Sequence, residues 1–500
     1  MMRLFIYILT GFLLVNISCH KDITEYNKNP NATLSASPEQ LFITALQRGM
    51  STFYPDVYVD QWGMQQWMQY MANRGGINPD HAYIMPGYID EFWGELYAEG
   101  LDHAQEVINY LSDEPEEVNK VAACRIWKVY IFQKITDIWG DIPYSVALEG
   151  VSDYNLKPKY DTQQSIYYDM LNELKESAEQ TDPDKPFFDG GSDIIYNGDI
   201  SKWRAFANSL RFKLAMRIKN IDPGKTVEVL EELQDEDMIS SNEESAVFPH
   251  NSLNKNPLFQ VVNAGQAEVQ NNPCQYLVDL LLNYNDPRIS IILQVSSAHE
   301  ALPFLYDEYK GIPCWMPTDH QDWDDYDVFD NDQWDDISRI GEWFLRNETP
   351  AQVLHYSELC FLKAEAALDG NWQGSAQEYY EEGIRANMHY YSDYGDSTYI
   401  ISDTEIDEYI SGLPLVSLEN IITQKWLTFV FDNGPEAFAE YRRTGYPVLT
   451  KYDGTDIDME NFPRRLIYPY TEQIYNDSYE DVLIQQGADD PSTRIWWDAE

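Results

Sequence analysis

Cysteine is scarce in this chain: five residues in 500, at positions 19, 124, 274, 314 and 360. Their spacing matches no zinc-site pattern, and Cys124 and Cys360 fall in apolar helical stretches where a thiol packs as a small hydrophobe. A Cys274–Cys314 disulfide stays open. Histidine is scarce too, with eight residues and no pair at metal-ligand spacing; "HYSE" at 355–358 has His355 and Glu358 but no second histidine. Basic charge is thin, 34 Lys and Arg against 84 Asp and Glu, a formal net of −50. Such a chain repels phosphate backbones, which argues against nucleic-acid binding and against docking on an anionic membrane face. Beyond residue 17 no run is apolar for the roughly 18 residues that a membrane helix needs. Catalytic signatures are missing as well. "DPGKT" (222–226) ends like a phosphate loop but has Lys219 where the first glycine belongs, and no G-x-S-x-G elbow occurs. A carboxylate pair of glycosidase type cannot be read off or out of 84 acids, so a helical α/α-toroid glycoside hydrolase stands as the enzyme alternative.

The N-terminus carries an address. Arg3 precedes "LFIYILTGFLLVNI" (4–17), an apolar core of signal-peptide length, and Ser18-Cys19 follows. A cysteine after a small residue at that point reads as a lipobox, with cleavage before Cys19 and lipid on its thiol; Asn16 departs from the usual aliphatic residue. The other reading is ordinary cleavage with a free thiol at Cys19. Residues 1–18 are thus expected as a signal peptide and 19–37, rich in Asn, Ser and Thr, as a tether.

From residue 38 helix signals dominate. Ser37-Pro38 makes a cap and first-turn pair, and helical periodicity runs through 38–50, 88–112, 115–139, 161–180, 199–220, 223–235, 352–369, 372–391, 403–411 and 415–432. The span 240–350 is irregular and rich in Pro, Gly and Asn. "AEAALDGNWQGSAQEYYEEGI" sets Ala364, Ala366 and Ala367 before a Gly370 turn, then Ala376 and Tyr380 four apart, a helix–turn–helix of tetratricopeptide type. The predicted class is mostly α: a scaffold of such helix pairs with an irregular, loop-rich face.

Two places attract attention as ligand sites. On a helix over 60–74, at about 100° per residue, Met64, Met68 and Met71 gather with Trp67 on one face. Trp62, Gln66, Gln69 and Asn73 gather on the other, with Tyr70 at its edge and Arg74 beside it. Rings and amides suit hydroxyl-rich ligands, by stacking and paired hydrogen bonds, but the same face could be plain polar surface. The second place is "DHQDWDDYDVFDNDQWDD" (319–336), nine aspartates with no lysine or arginine. It reads as a solvated loop, as a ligand platform using Trp315, Trp323 or Trp334, or as a structural Ca²⁺ site through Asp325, Asp327, Asp330 and Asp332. It has no glycine, which excludes an EF-hand loop. Asp456, Asp458 and Glu460 form a weaker calcium candidate. No other cofactor is indicated.

Several ordered stretches carry a family resemblance: "KITDIWGDIPYSVAL" (134–148), "KYDTQQSIYYDMLNEL" (159–174), "DIIYNGDISKWRAFANSLRFKLAMRI" (193–218), "NDPRI" (285–289), "QKWLTFVFDNGPEAFAEYRRTGYPVL" (424–449) and "PRRLIYPYTEQIYN" (463–476). Together with the lipobox they resemble the SusD/RagB family of outer-membrane nutrient-binding lipoproteins, nearest the branch called SusD-like group two. The resemblance implies one domain over 38–500, with its helical scaffold mainly in 38–235 and 350–450 and a variable region at 240–350. It implies a cell-surface, lipid-anchored receptor that hands glycans, or in some branches peptides, to a SusC-like TonB-dependent transporter without chemistry. Within these motifs Asp141, Asn208, Arg442, Arg443 and Gly445 are expected to serve the scaffold rather than a ligand.

Overall fold

A computed structural model describes residues 36–50, 57–72, 84, 86–149, 157–263, 272–305, 307–313, 333–451 and 462–499. The helices begin where the sequence supplies caps. Ser37 Oγ accepts from Gln40 N–H at 3.3 Å while Gln40 Oε1 accepts from Ser37 N–H at 3.2 Å, opening Pro38–Met50. Thr162, Asp199, Ser375 and Ser417 cap the starts of Gln163–Gln180, Ile200–Arg217, Ala376–Asp393 and Leu418–Thr428 in the same manner. Gly445 ends Gly434–Thr444 in the left-handed conformation, φ 73°, as the "RRTG" motif predicts.

These helices stack as antiparallel pairs. Asp102–Leu111 packs on Val118–Trp139, Gln163–Gln180 on Ile200–Arg217, and Tyr356–Leu368 on Ala376–Asp393. The last pair is the predicted tetratricopeptide-type unit. Ala364, Ala366 and Tyr380 are buried at its seam, and a Cβ on Gly383 would fall 2.7 Å from the Phe361 ring, so the two axes are close because position 383 has no side chain. Among the described residues, four two-stranded antiparallel patches tie the loops down; in one, Ala246–Phe248 pairs with Ala351–Leu354. Among the described residues no helix is long and apolar enough to cross a membrane.

The interior of the scaffold is ionic as well as apolar. Lys213, Arg217, Lys425 and Arg443 interleave with Glu358, Glu365, Glu436 and Glu440, every side chain 5% exposed or less. Lys213 Nζ lies 3.1 Å from Glu358 and 2.9 Å from Glu436. Arg443 grips both Glu365 oxygens at 2.6 and 2.7 Å and reaches Glu440 at 2.7 Å. With Asp137, 3.4 Å from Arg217, and Lys219, 2.8 Å from Glu365, five charges of each sign balance, which is what lets them sit out of water. Arg442 serves differently: it donates to the carbonyls of Asp137, at the end of Val118–Trp139, and Arg464 at 2.7 and 2.6 Å. Burial lowers its pKa to about 9. Of this arginine pair, then, Arg443 pairs with carboxylates and Arg442 caps a helix end, both serving the scaffold as expected. Asn208 is buried and donates to Asp237 O at 2.9 Å. Asp141 does not close its own turn; its carboxylate accepts from Gln163 N–H at 2.7 Å, at the start of the next helix, while Pro143 lies in a two-residue strand.

The helix expected over 60–74 is not one helix. Val57–Met64 makes wide π-helical turns, Gln65–Trp67 a single α turn, and the chain reverses at Gln69, φ 59°, before the strand Met71–Ala72. A 100° wheel therefore mis-assigns its faces. Cys124 and Cys360 are buried free thiols, as expected, and burial pushes Cys360 up to about 12. Cys274 is disulfide-bonded; Cys314 lies outside the described residues.

Candidate ligand-binding site

The π-helical segment Val57–Met64 presents its aromatics at the surface. Tyr58 and Trp62, four apart, meet edge to face with ring centroids 4.5 Å apart. Tyr58 also stacks flat on Tyr88, from the start of Pro86–Glu95, at 3.5 Å and 6°. All three rings are only partly buried, and Trp62 rests against a small apolar pair, Val57 and Val261. Partly exposed flat rings backed by rigid elements are suited to stacking on the apolar face of a sugar. The Trp62 indole N–H is itself buried and has no acceptor, so what the ring can offer a ligand is its partly exposed face.

Between these aromatics, Asp60 and Gln61 turn inward to a cavity of about 60 Å³ lined also by His250, Gln352, Asp432 and Lys134. Its chemistry is one-sided. Gln61 Oε1, Gln352 Oε1 and His250 Nε2 are buried acceptors without donors. His250 Nδ1 faces the Asn254 carbonyl at 3.2 Å, and burial lowers the ring's pKa to about 4, so at neutral pH Nε2 carries a lone pair. Hydroxyl-bearing ligands or a few waters bridging to them would supply the missing donors. Asp60 is locked in place: Gln65 Nε2 donates to it at 3.1 Å, and a Cβ on Gly434 would fall 2.0 Å from its Oδ1.

Of the residues singled out in the sequence that are among those described, Trp62 alone stands in this platform. Gln66 and Tyr70 are corrected by the structure: they are 1% and 0% exposed. Tyr70 donates to the Trp426 carbonyl at 2.7 Å and its ring lies 4.4 Å from that indole, so it packs inside instead of stacking on a ligand. The cause is Leu418–Thr428, which covers this segment from 350 residues away in sequence. Asn73, Arg74, Trp315, Trp323 and the calcium candidates Asp325, Asp327, Asp330 and Asp332 lie outside the described residues, as do Asp456, Asp458, Glu460 and Cys19. Trp334 falls in a 3₁₀ turn, Gln333–Asp336, its side chain not among those described. At the end of the acidic stretch Asp336 pairs with Lys310 at 2.5 Å. Sequence reasoning missed Tyr58 and Tyr88. The Tyr58–Trp62 spacing was a usable signal; nothing local marks Tyr88.

Comparison with known proteins gives the same architecture repeatedly. A chitin-binding protein of known structure is 27% identical with a TM-score of 0.82, covering 93% of this chain and 100% of its own. A Bacteroidetes SusD-like protein, AC2a, is 25% identical with a TM-score of 0.79 over the same shares. A chitin-binding SusD homologue from Flavobacterium johnsoniae shares the fold at 24% identity and a TM-score of 0.74, covering 93% of this chain and 99% of its own. No curated protein matches. Residues 30–469 match the second SusD-like family, described as starch-binding and associating with the outer membrane, and the chain, with its helix-pair scaffold, belongs to that SusD/RagB family.

Proposed function

We propose that this protein is a lipid-anchored receptor on the outer face of the outer membrane, tethered through Cys19. It captures oligosaccharides, those of chitin type first among them, and passes them unchanged to a SusC-like TonB-dependent transporter. The observation that supports this most directly is the full-length relative at 27% identity whose description is chitin-binding. The Tyr58–Trp62–Tyr88 platform over an acceptor-rich cavity supports that reading chemically, and the family's description as associating with the outer membrane agrees with it.

The test is affinity electrophoresis of the soluble form starting after Cys19, in gels containing soluble chitin derivatives, starch or neither. Retardation is expected in at least one glycan gel. Trp62→Ala should weaken retention about tenfold, the loss of one stacked ring being of the order of 1–2 kcal/mol, with the melting temperature near wild type. Absence of retention across a wider glycan panel would overturn the reading. Reducing ends appearing on long incubation would overturn its non-catalytic part.

A further inference from the structure

A second, larger cavity of about 440 Å³ opens between Val118–Trp139 and Gln163–Gln180, roofed by Tyr144 and Ser145. It shares no lining residue with the cavity beneath the aromatic platform, and its size falls within the range of small-molecule sites. Val129, Phe132 and Tyr144 form an apolar wall, the two rings edge to face at 4.6 Å.

Most of the charges around it are already engaged. Glu173 holds Arg125 through two bonds of 2.7 Å, and Glu176 and Gln180 take the remaining reach of that guanidinium at 2.8 Å. Asp161 accepts from Ser145 N–H at 2.7 Å and Ser145 Oγ at 3.0 Å. Two are not. Lys128 Nζ donates once, to Gln105 Oε1 at 2.5 Å, and forms no ion pair among the described residues, in a chain where acids outnumber bases 84 to 34. An ammonium has three donors, so two remain. In the same lining, and close enough to act on Lys128 electrostatically, Asp169 accepts one bond, from Tyr144 Oη at 2.7 Å to Oδ2, and Oδ1 has no protein donor among the described residues. A simple anion entering toward Lys128 would meet Asp169 and Glu173. A simple cation entering toward Asp169 would meet Lys128 and Arg125. A molecule carrying both charges on neighbouring atoms meets neither penalty.

We propose that this cavity is a second ligand site, for a free α-amino acid with an apolar side chain. Its carboxylate bonds Lys128, its ammonium bonds Asp169, and its side chain lies on Val129, Phe132 and Tyr144. The electrostatics agree: burial lowers the Lys128 pKa, against the pull of Glu173 and Asp169, and a ligand carboxylate would stabilise the charged form.

The test is isothermal titration of the soluble form with L-phenylalanine, with 3-phenylpropionate (no ammonium) and phenethylamine (no carboxylate) as controls. Saturable binding of L-phenylalanine is expected, about tenfold weaker in K128M and in D169N, and about tenfold weaker for either control on wild type. Asp169 is exposed, so D169N keeps the test sound should K128M fail to fold. Absence of L-phenylalanine binding, equal binding of 3-phenylpropionate, or affinity unchanged in both variants would overturn the proposal.

Discussion

Arg443→Met removes the guanidinium that holds Glu365 and Glu440 together. In the folded protein the Arg443 side chain is 0% exposed and makes four bonds to those two carboxylates, at 2.6, 2.7, 2.7 and 3.2 Å. Methionine fills much of the volume but supplies no donor. Glu365 keeps Lys219 at 2.8 Å and Glu440 keeps Lys425 at 3.2 Å and Arg217, so neither is fully orphaned, yet the buried region goes from balanced to one negative charge in excess. Breaking one partner of a buried pair costs about 3–5 kcal/mol. Unfolding entropy of about 2.1 cal/mol/K per residue gives a chain this long roughly 1 kcal/mol per degree, so the melting temperature should fall about 3–5 °C. Differential scanning calorimetry measures it. The double variant Arg443→Met, Glu365→Leu restores charge balance and should recover most of the loss, because replacing a buried pair by apolar groups is close to neutral. A single variant melting within about 1 °C of wild type, or a double variant less stable than the single, would refute the view that charge balance holds this interior.

Acid should act on the same residues. The Arg217 guanidinium with Lys213 and Lys425 outweighs burial and lowers Glu436 from 4.5 to about 2, and Glu440 is held below its ordinary value too. A depressed carboxylate stabilises the fold fully above its unfolded pKa and ceases to do so as pH falls through the folded one. The melting temperature should therefore drop between about pH 4.5 and pH 2, and less steeply in Glu436→Gln; parallel profiles would refute the assignment. Gly434→Ala pushes a methyl into Asp60 Oδ1 and Gln65, and should cost about 1–3 kcal/mol while weakening glycan retention, because that contact positions the aromatic segment. Circular dichroism melts and the electrophoresis described above read both effects.

The scaffold was legible because its signals are local. Ser37-Pro38, the Gly370 turn and Gly445 each specify one backbone event, and the structure places helix ends at all three. The alanine-rich seam of 352–391 could be read for the same reason. The candidate site was legible only in part. Trp62 is partly exposed, but Tyr70 and Gln66 were put with it because periodicity presumes α geometry, and Val57–Met64 winds wider. What buries Tyr70 is Trp426, and no window of neighbouring residues contains both. The ionic interior was half visible: Arg442 and Arg443 asked for partners, but Glu365 and Asp137 are supplied by distant helices.

The charged interior also sets an order of events for a chain that emerges N-terminus first. Lys213 and Arg217 are made early with a single early carboxylate, Asp137, 3.4 Å from Arg217, while Glu436 and Glu440, which complete the pairing, arrive at the end. A ribosome that has released only the first half has released helices whose inward faces carry unmatched charge. Such a half has little reason to collapse ahead of time, so the final shape waits for the last helices to be made.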